Sequence, residues 1–204
     1  MDPIPSRAAR TAYLMLTILF LIAVVAGVVV VAHRLVGFGQ DSSRLSVPAG
    51  VAVSDVELPP TLEIAGPLPV TVDVVGPSMA QRVIATVPAL AWWALTLAVL
   101  WLVRGVARSA ARGDPFRASN VDRLRGLGAL FLLGFPLSSI IERYCMDRFF
   151  SDGVWTVGSL PQGGIVTDSP VVSGAAIMAA VSLFALAEVF AFGAKLREDV
   201  DATI

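Results

Sequence analysis

Four stretches of this chain are too apolar and too long to lie in water, and they constrain the fold more than any other feature. A hydrocarbon core of roughly 30 Å needs about 20 predominantly apolar residues in a helix. Residues 11–32 carry no charge and hold thirteen Leu, Ile, Val or Phe. At biological insertion energies those thirteen favour the bilayer by roughly 4 to 8 kcal/mol. Residues 83–103 form the second stretch, with Trp92, Trp93 and Trp101 along it and Pro88 near its start. The third, residues 126–141, is the shortest and is interrupted by Pro136, and the fourth, residues 171–192, carries Glu188 near its end. Backbone groups in lipid must be bonded within the segment, so all four are expected to be helices. Taken whole, the chain offers little to keep it in water, since charged residues make up 15% of it, against about 25% in a soluble domain.

Arg7 and Arg10 ahead of the first stretch also suit a secretory signal. Its apolar run is too long for one, and no small-x-small site precedes His33 and Arg34. It is therefore expected to be an uncleaved anchor.

The cations fix the expected orientation. Residues 104–125 hold Arg104, Arg108, Arg112, Arg117, Arg123 and Arg125 against Asp114 and Asp122. The flanking loops, residues 33–82 and 142–170, hold five arginines and nine acids. Short arginine-rich loops stay in the cytoplasm. This predicts a cytoplasmic elbow at 104–125, both termini and the tail at 193–204 inside, and two extracytoplasmic loops.

The outer loops carry strand patterns. Leu68, Val70, Val72 and Val74 alternate with Pro69, Thr71 and Asp73, the signature of a half-buried strand. Val51, Val53, Val56 and Leu58 give a weaker version, and residues 62–64, 154–157 and 165–166 add short pieces. A lone hairpin is marginal in water, so strands from both loops are expected to pair. The predicted fold class is all-α: one membrane domain, a four-helix transmembrane bundle with a small extracytoplasmic β cap.

In the elbow, Arg104, Arg108 and Arg112 recur every four residues, which places them on one helical face. The second helix should run to about Arg112 and stop at Gly113. Asp114 then reads as an N-cap with Pro115 at the first helical position, putting Phe116, Asn120 and Leu124 on one face of a new helix. Attraction to anionic lipid accounts for the arginines at roughly 1 kcal/mol each, and an acidic docking partner is the sharper alternative.

An ionisable residue at membrane depth is by default a functional candidate. Glu188 is the clear one here, and its expected partner is Arg104 or Arg125 at the same level. An ion pair that locks the helices is favoured over a proton relay, because no further protonatable group marks a path. Gly174, Ala175, Ala176, Ala179 and Ala180 give the fourth helix a small-residue face, fit for another helix of this chain or for a second copy in a homo-oligomer.

The elbow run Gly113-Asp114-Pro115-Phe116, Asn120, Arg123-Leu124-Arg125 and Leu127-Gly128 resembles the PF-x-x-x-N-x-x-RLR-x-LG signature of one bacterial family. The close, Leu186-Ala187-Glu188-Val189-Phe190 followed by residues 193–199 and 201–204, is similar to that family's C-terminal signature. The family is catalogued as domain of unknown function 2975. The two motifs cover about a quarter of the chain, in the family's order. The resemblance implies an uncharacterised bacterial membrane protein, often encoded beside a small helix-turn-helix regulator, and hence a regulatory membrane component.

Catalysis is not expected. Cys145 and His33 are single, which rules out an intrachain disulfide, a thiolate cluster or a histidine-based zinc site, and no cofactor motif or nucleophile-base set is visible. The segregated charges give no basis for direct nucleic-acid binding. The reading at this level is a regulatory or interaction component that docks a small cytoplasmic regulator. A transporter is the alternative, weighed against because only Pro136 interrupts a span near its middle and no charge sits there. The candidate residues for interaction or structure are Phe116, Asn120, Arg123, Arg125, Arg104 and Glu188.

Overall fold

The computed structural model describes residues 7–36, 44–51, 68–151, 165–166 and 173–201. Its elements are α1 (Arg7–Val36), β1 (Arg44–Val51), β2 (Leu68–Val75), α2 (Met79–Ala111), α3 (Ala118–Ala129), a π-helical turn (Leu130–Gly134), α4 (Phe135–Ser151), β3 (Ile165–Val166) and α5 (Gly174–Asp201). Four helices are long and apolar enough to cross a membrane: α1, α2, the run from α3 through α4, and α5. The chain is thus a multi-pass membrane protein, and each helix extends beyond at least one end of its apolar stretch. The chain divides into two compact units, one of residues 1–28, 91–138 and 171–204, the other of residues 29–90 and 139–170.

In the first unit the core lies between α3 and α5. Val121, Leu124 and Leu127 of α3 close on Ala187 of α5, and Val99, Leu102 and Val103 of α2 pack against the same cluster. Ala187 is fully buried, and its small side chain lets the two helices approach closely. α1 is held to α2 by polar side chains, and Gly27 alone is buried among its described residues. Trp93 donates its indole N–H to the Ala23 carbonyl at 2.8 Å. The ring rests on Gly27, where any β-carbon would overlap it.

The third crossing is continuous but not regular. Pro136 has no N–H for the carbonyl four residues back, and its ring would strike that carbonyl in a regular α-helix. The chain widens into the π-helical turn immediately before it. Phe135 meets Trp92 edge-on at 4.9 Å between ring centroids, which fixes this turn against α2.

In the second unit three strands form a sheet of order β2-β1-β3. β1 and β2 are antiparallel, with Arg44 opposite Val75 and Val51 opposite Leu68, and β3 pairs Val166 with Gly50 and Ile165 with Val51. β2 covers the alternating run 68–74. β1 begins seven residues before the weaker pattern and overlaps it only at Val51; residues 53, 56, 58, 62–64 and 154–157 lie outside the described residues. Among the described residues, Pro48 stands where β1 has β2 alone as strand neighbour, a place where a missing N–H is tolerated. Val74 is buried against Ala85 of α2 and Met146 and Phe149 of α4. α2 opens with a capping box, in which the Ser78 N–H donates to Gln81 Oε1 and the Gln81 N–H to Ser78 Oγ, satisfying two end groups reciprocally. Arg34 donates to the Ala85 carbonyl at 2.8 Å, one residue past the carbonyl that Pro88 leaves without its helical donor.

Candidate functional site

The elbow between α2 and α3 is built around a helix stop. Gly113 takes φ 82°, a left-handed conformation that costs a residue with a β-carbon. The Gly113 N–H bonds to the Ala110 carbonyl and the Asp114 N–H to that of Ser109, the paired bonds of a Schellman motif. The Ser109 hydroxyl returns a bond to the Asp114 carbonyl at 2.6 Å. Residues 114–117 then form a tight connection, and α3 starts at Ala118 with Arg117 as its N-cap residue and no side-chain cap. This corrects the expectation of an Asp114 cap and of Phe116 on the helix: Asp114 and Phe116 both precede it.

Each candidate residue has a definite place. Asn120 is fully buried. It donates to the Pro115 carbonyl at 2.8 Å and accepts from Arg123 at 2.8 Å, so it holds the connection to α3 and is not a displayed surface. Arg123 also donates to the Gly105 carbonyl of α2 at 3.0 Å. A β-carbon on Gly105 would stand 2.7 Å from Arg123 Nε, so the bare backbone there admits the guanidinium. Phe116 is exposed but packs on Phe190 at 5.2 Å between centroids, with Gly193 leaving room for its ring. Arg197 reaches from α5 to Asp114 at 2.6 Å. The segment called a tail is therefore helical as far as Asp201 and attached to the elbow.

Of the two proposed partners for Glu188, the structure brings Arg125, at 2.8 Å. Arg104 goes elsewhere. Its Nε donates to the Thr17 hydroxyl at 3.0 Å and its Nη2 to the Tyr13 hydroxyl at 3.3 Å, while its guanidinium lies over the rings of Tyr13 and Phe20. Thr17 in turn donates to the Tyr13 carbonyl. Arg104 is thus the polar latch between α1 and α2, a role that spacing alone does not reveal.

The remaining arginines gather round a pocket of about 230 Å³, lined by Arg108, Arg112, Arg117 and Arg123 with Ser109 and Ser119. A smaller pocket of about 130 Å³ shares Arg108 and Arg123 and adds Trp101 and Arg104. The serines were not singled out from sequence, where nothing marks them. They stand beside the arginines only because the Schellman turn folds α3 back along α2.

No curated protein and no solved structure matches this chain. A family described as protein of unknown function (DUF2975) matches residues 70–204. That span runs from β2 to the C-terminus and takes in the elbow, the Arg125–Glu188 pair and the Arg197–Asp114 contact, but not α1. With about two thirds of its length in the match, the chain belongs to the DUF2975 family.

Proposed function

We propose that this protein is a regulatory or interaction component of a bacterial inner membrane. In this reading both termini are cytoplasmic, the elbow meets a small DNA-binding regulator through acidic groups on that partner, and no catalytic step is involved. One observation carries the reading: the elbow is at once rigid and cationic. Arg108, Arg112 and Arg117 are exposed, and their side chains have no hydrogen-bond or ion-pair partner among the described residues. The backbone beneath them is clamped by Asn120, by Phe116 on α5, and by Arg197 on Asp114. A surface held this firmly loses little conformational freedom on binding. Glu188, the group a proton relay would use, is engaged by Arg125, which supports a structural role for it over a transport role.

The three-stranded sheet belongs to the same proposal. Its strands come from the two loops that the arginine asymmetry assigns to the outside, so it would form a small cap there. The surface of α1, and the part of the small-residue stripe on α5 that remains exposed, would meet lipid or a second copy.

Affinity capture of the tagged protein from its native host tests the docking. The expected result is co-purification of a small helix-turn-helix protein, lost in the double variant Arg112→Glu, Arg117→Glu while expression is retained. A partner indifferent to those reversals would remove the elbow from the interaction.

A further inference from the structure

We propose that the arginine pocket of the elbow is a binding site for a phosphate group. This goes beyond the docking reading and does not depend on it, since the pocket is complete within one chain.

The first argument is charge. Four arginines line the larger pocket, and the single acid on its wall, Asp114, has a carboxylate oxygen taken by Arg197 at 2.6 Å. Asp114 therefore does not neutralise the pocket's own cations. Arg108, Arg112 and Arg117 are left with no side-chain partner among the described residues, and like charges crowded together favour uptake of an anion.

The second argument is preorganisation. Arg123 is fixed before any ligand arrives, by the Gly105 carbonyl and Asn120 Oδ1, both bonded to the same Nη1. Its other nitrogens stay available in a planar fork that matches two phosphate oxygens. Ser119 lies in the first turn of α3 and its hydroxyl has no partner among the described residues. α3 begins without a side-chain cap, and with the Asn120 N–H bonded to the Arg117 carbonyl the N–H groups of its first two residues add to the positive end of the helix beside the same pocket. Planar fork donors, a free hydroxyl and uncapped N–H groups suit the several acceptor oxygens of a phosphate better than the two of a carboxylate.

The third argument is size and surroundings. At about 230 Å³ the pocket admits a phosphate with a small attached group. The adjoining pocket places Trp101 beside it, and tryptophan is enriched at membrane interfaces. A phospholipid headgroup and a soluble phosphate share the chemistry that this site recognises.

The test uses the full-length chain in two arms. In neutral detergent, inorganic phosphate is titrated while thermal stability is followed. In phosphatidylcholine nanodiscs doped with phosphatidylglycerol, native mass spectrometry counts the anionic lipid retained after extraction. The double variant Arg112→Gln, Arg117→Gln should weaken the response in one arm by about tenfold or more, with elution and circular dichroism unchanged. Ser119→Ala removes no charge and should weaken the same response roughly two- to tenfold. Arg143→Gln removes one exposed charge that does not line the pocket, twenty residues beyond Arg123, and should leave the response unchanged. An effect in the detergent arm assigns a soluble phosphate, and one in the nanodisc arm assigns a lipid headgroup. The proposal is overturned if neither arm responds to the pocket variants, or if the Arg143 control weakens binding as much.

Discussion

Asn120 shows how much can rest on one side chain. It is sealed from solvent and bonds both the Pro115 carbonyl and the Arg123 guanidinium. Replacement by alanine takes the donor from the Pro115 carbonyl and one of the two acceptors from Arg123 Nη1, and an unsatisfied group costs about 1 to 3 kcal/mol where it is buried. Asn120→Ala should therefore lower the unfolding temperature in detergent clearly more than Phe116→Ala, whose ring is partly exposed; equal losses would mean that Asn120 is not the organising bond. Arg125 and Glu188 form a contact of another kind. With 49% and 69% of their side chains open in the protein alone, their coupling depends on what surrounds them. Glu188→Gln should lower the melting temperature, and adding Arg125→Gln should lower it little further. Strict additivity of the two losses would show that the groups do not interact. The coupling should be larger in bilayers than in detergent, because low dielectric strengthens a pair and penalises a lone charge.

The helices differ in how they are held. α3 and α5 share an apolar core, whereas α1 presents exposed apolar groups and is joined to α2 by the Trp93 and Arg104 contacts. The Trp93 contact requires the bare backbone of Gly27, so Gly27→Leu should push the indole off Ala23. Tryptophan emission should then change, and the change should vanish in a Trp93→Phe background. An unaltered spectrum for Gly27→Leu would mean that the indole is not seated there. At this scale the sequence was partly legible. The stop of α2 at Gly113 follows from the chemistry of glycine in a left-handed cap. The start of α3 was placed three residues too early, because Asp-Pro after a glycine is a good local capping signal. Here that signal lost to a connection in which Asp114 turns to Arg197 and Pro115 to Asn120, partners that lie on other turns of the chain.

For the whole molecule, the arginine asymmetry makes a topological prediction. A cytoplasmic fluorescent reporter fused after Gly113, or after residue 204, should be bright, and alkaline phosphatase at the same positions inactive. Phosphatase activity at either position would invert the proposed orientation of the elbow, and the proposed cytoplasmic partner would go with it.

What the sequence alone determined is the set of four crossings and the turn that ends α2. Membrane insertion sums over side chains that are neighbours in the chain, and a glycine stop is equally local, so neither needs knowledge of a fold. The tertiary structure decided the rest: that Glu188 meets Arg125 while Arg104 turns to Thr17 and Tyr13, that Asn120 is an internal strut, and that strand β1 runs through Pro48 and Gly50 beside β2. Each depends on how one element is rotated and where it crosses another. Those angles are set by shape, by the fit of Ala187 under Leu124 and of Gly27 under Trp93, between residues far apart in the chain. The arginine pocket belongs to this second class, because its members become neighbours only when α3 folds back along α2.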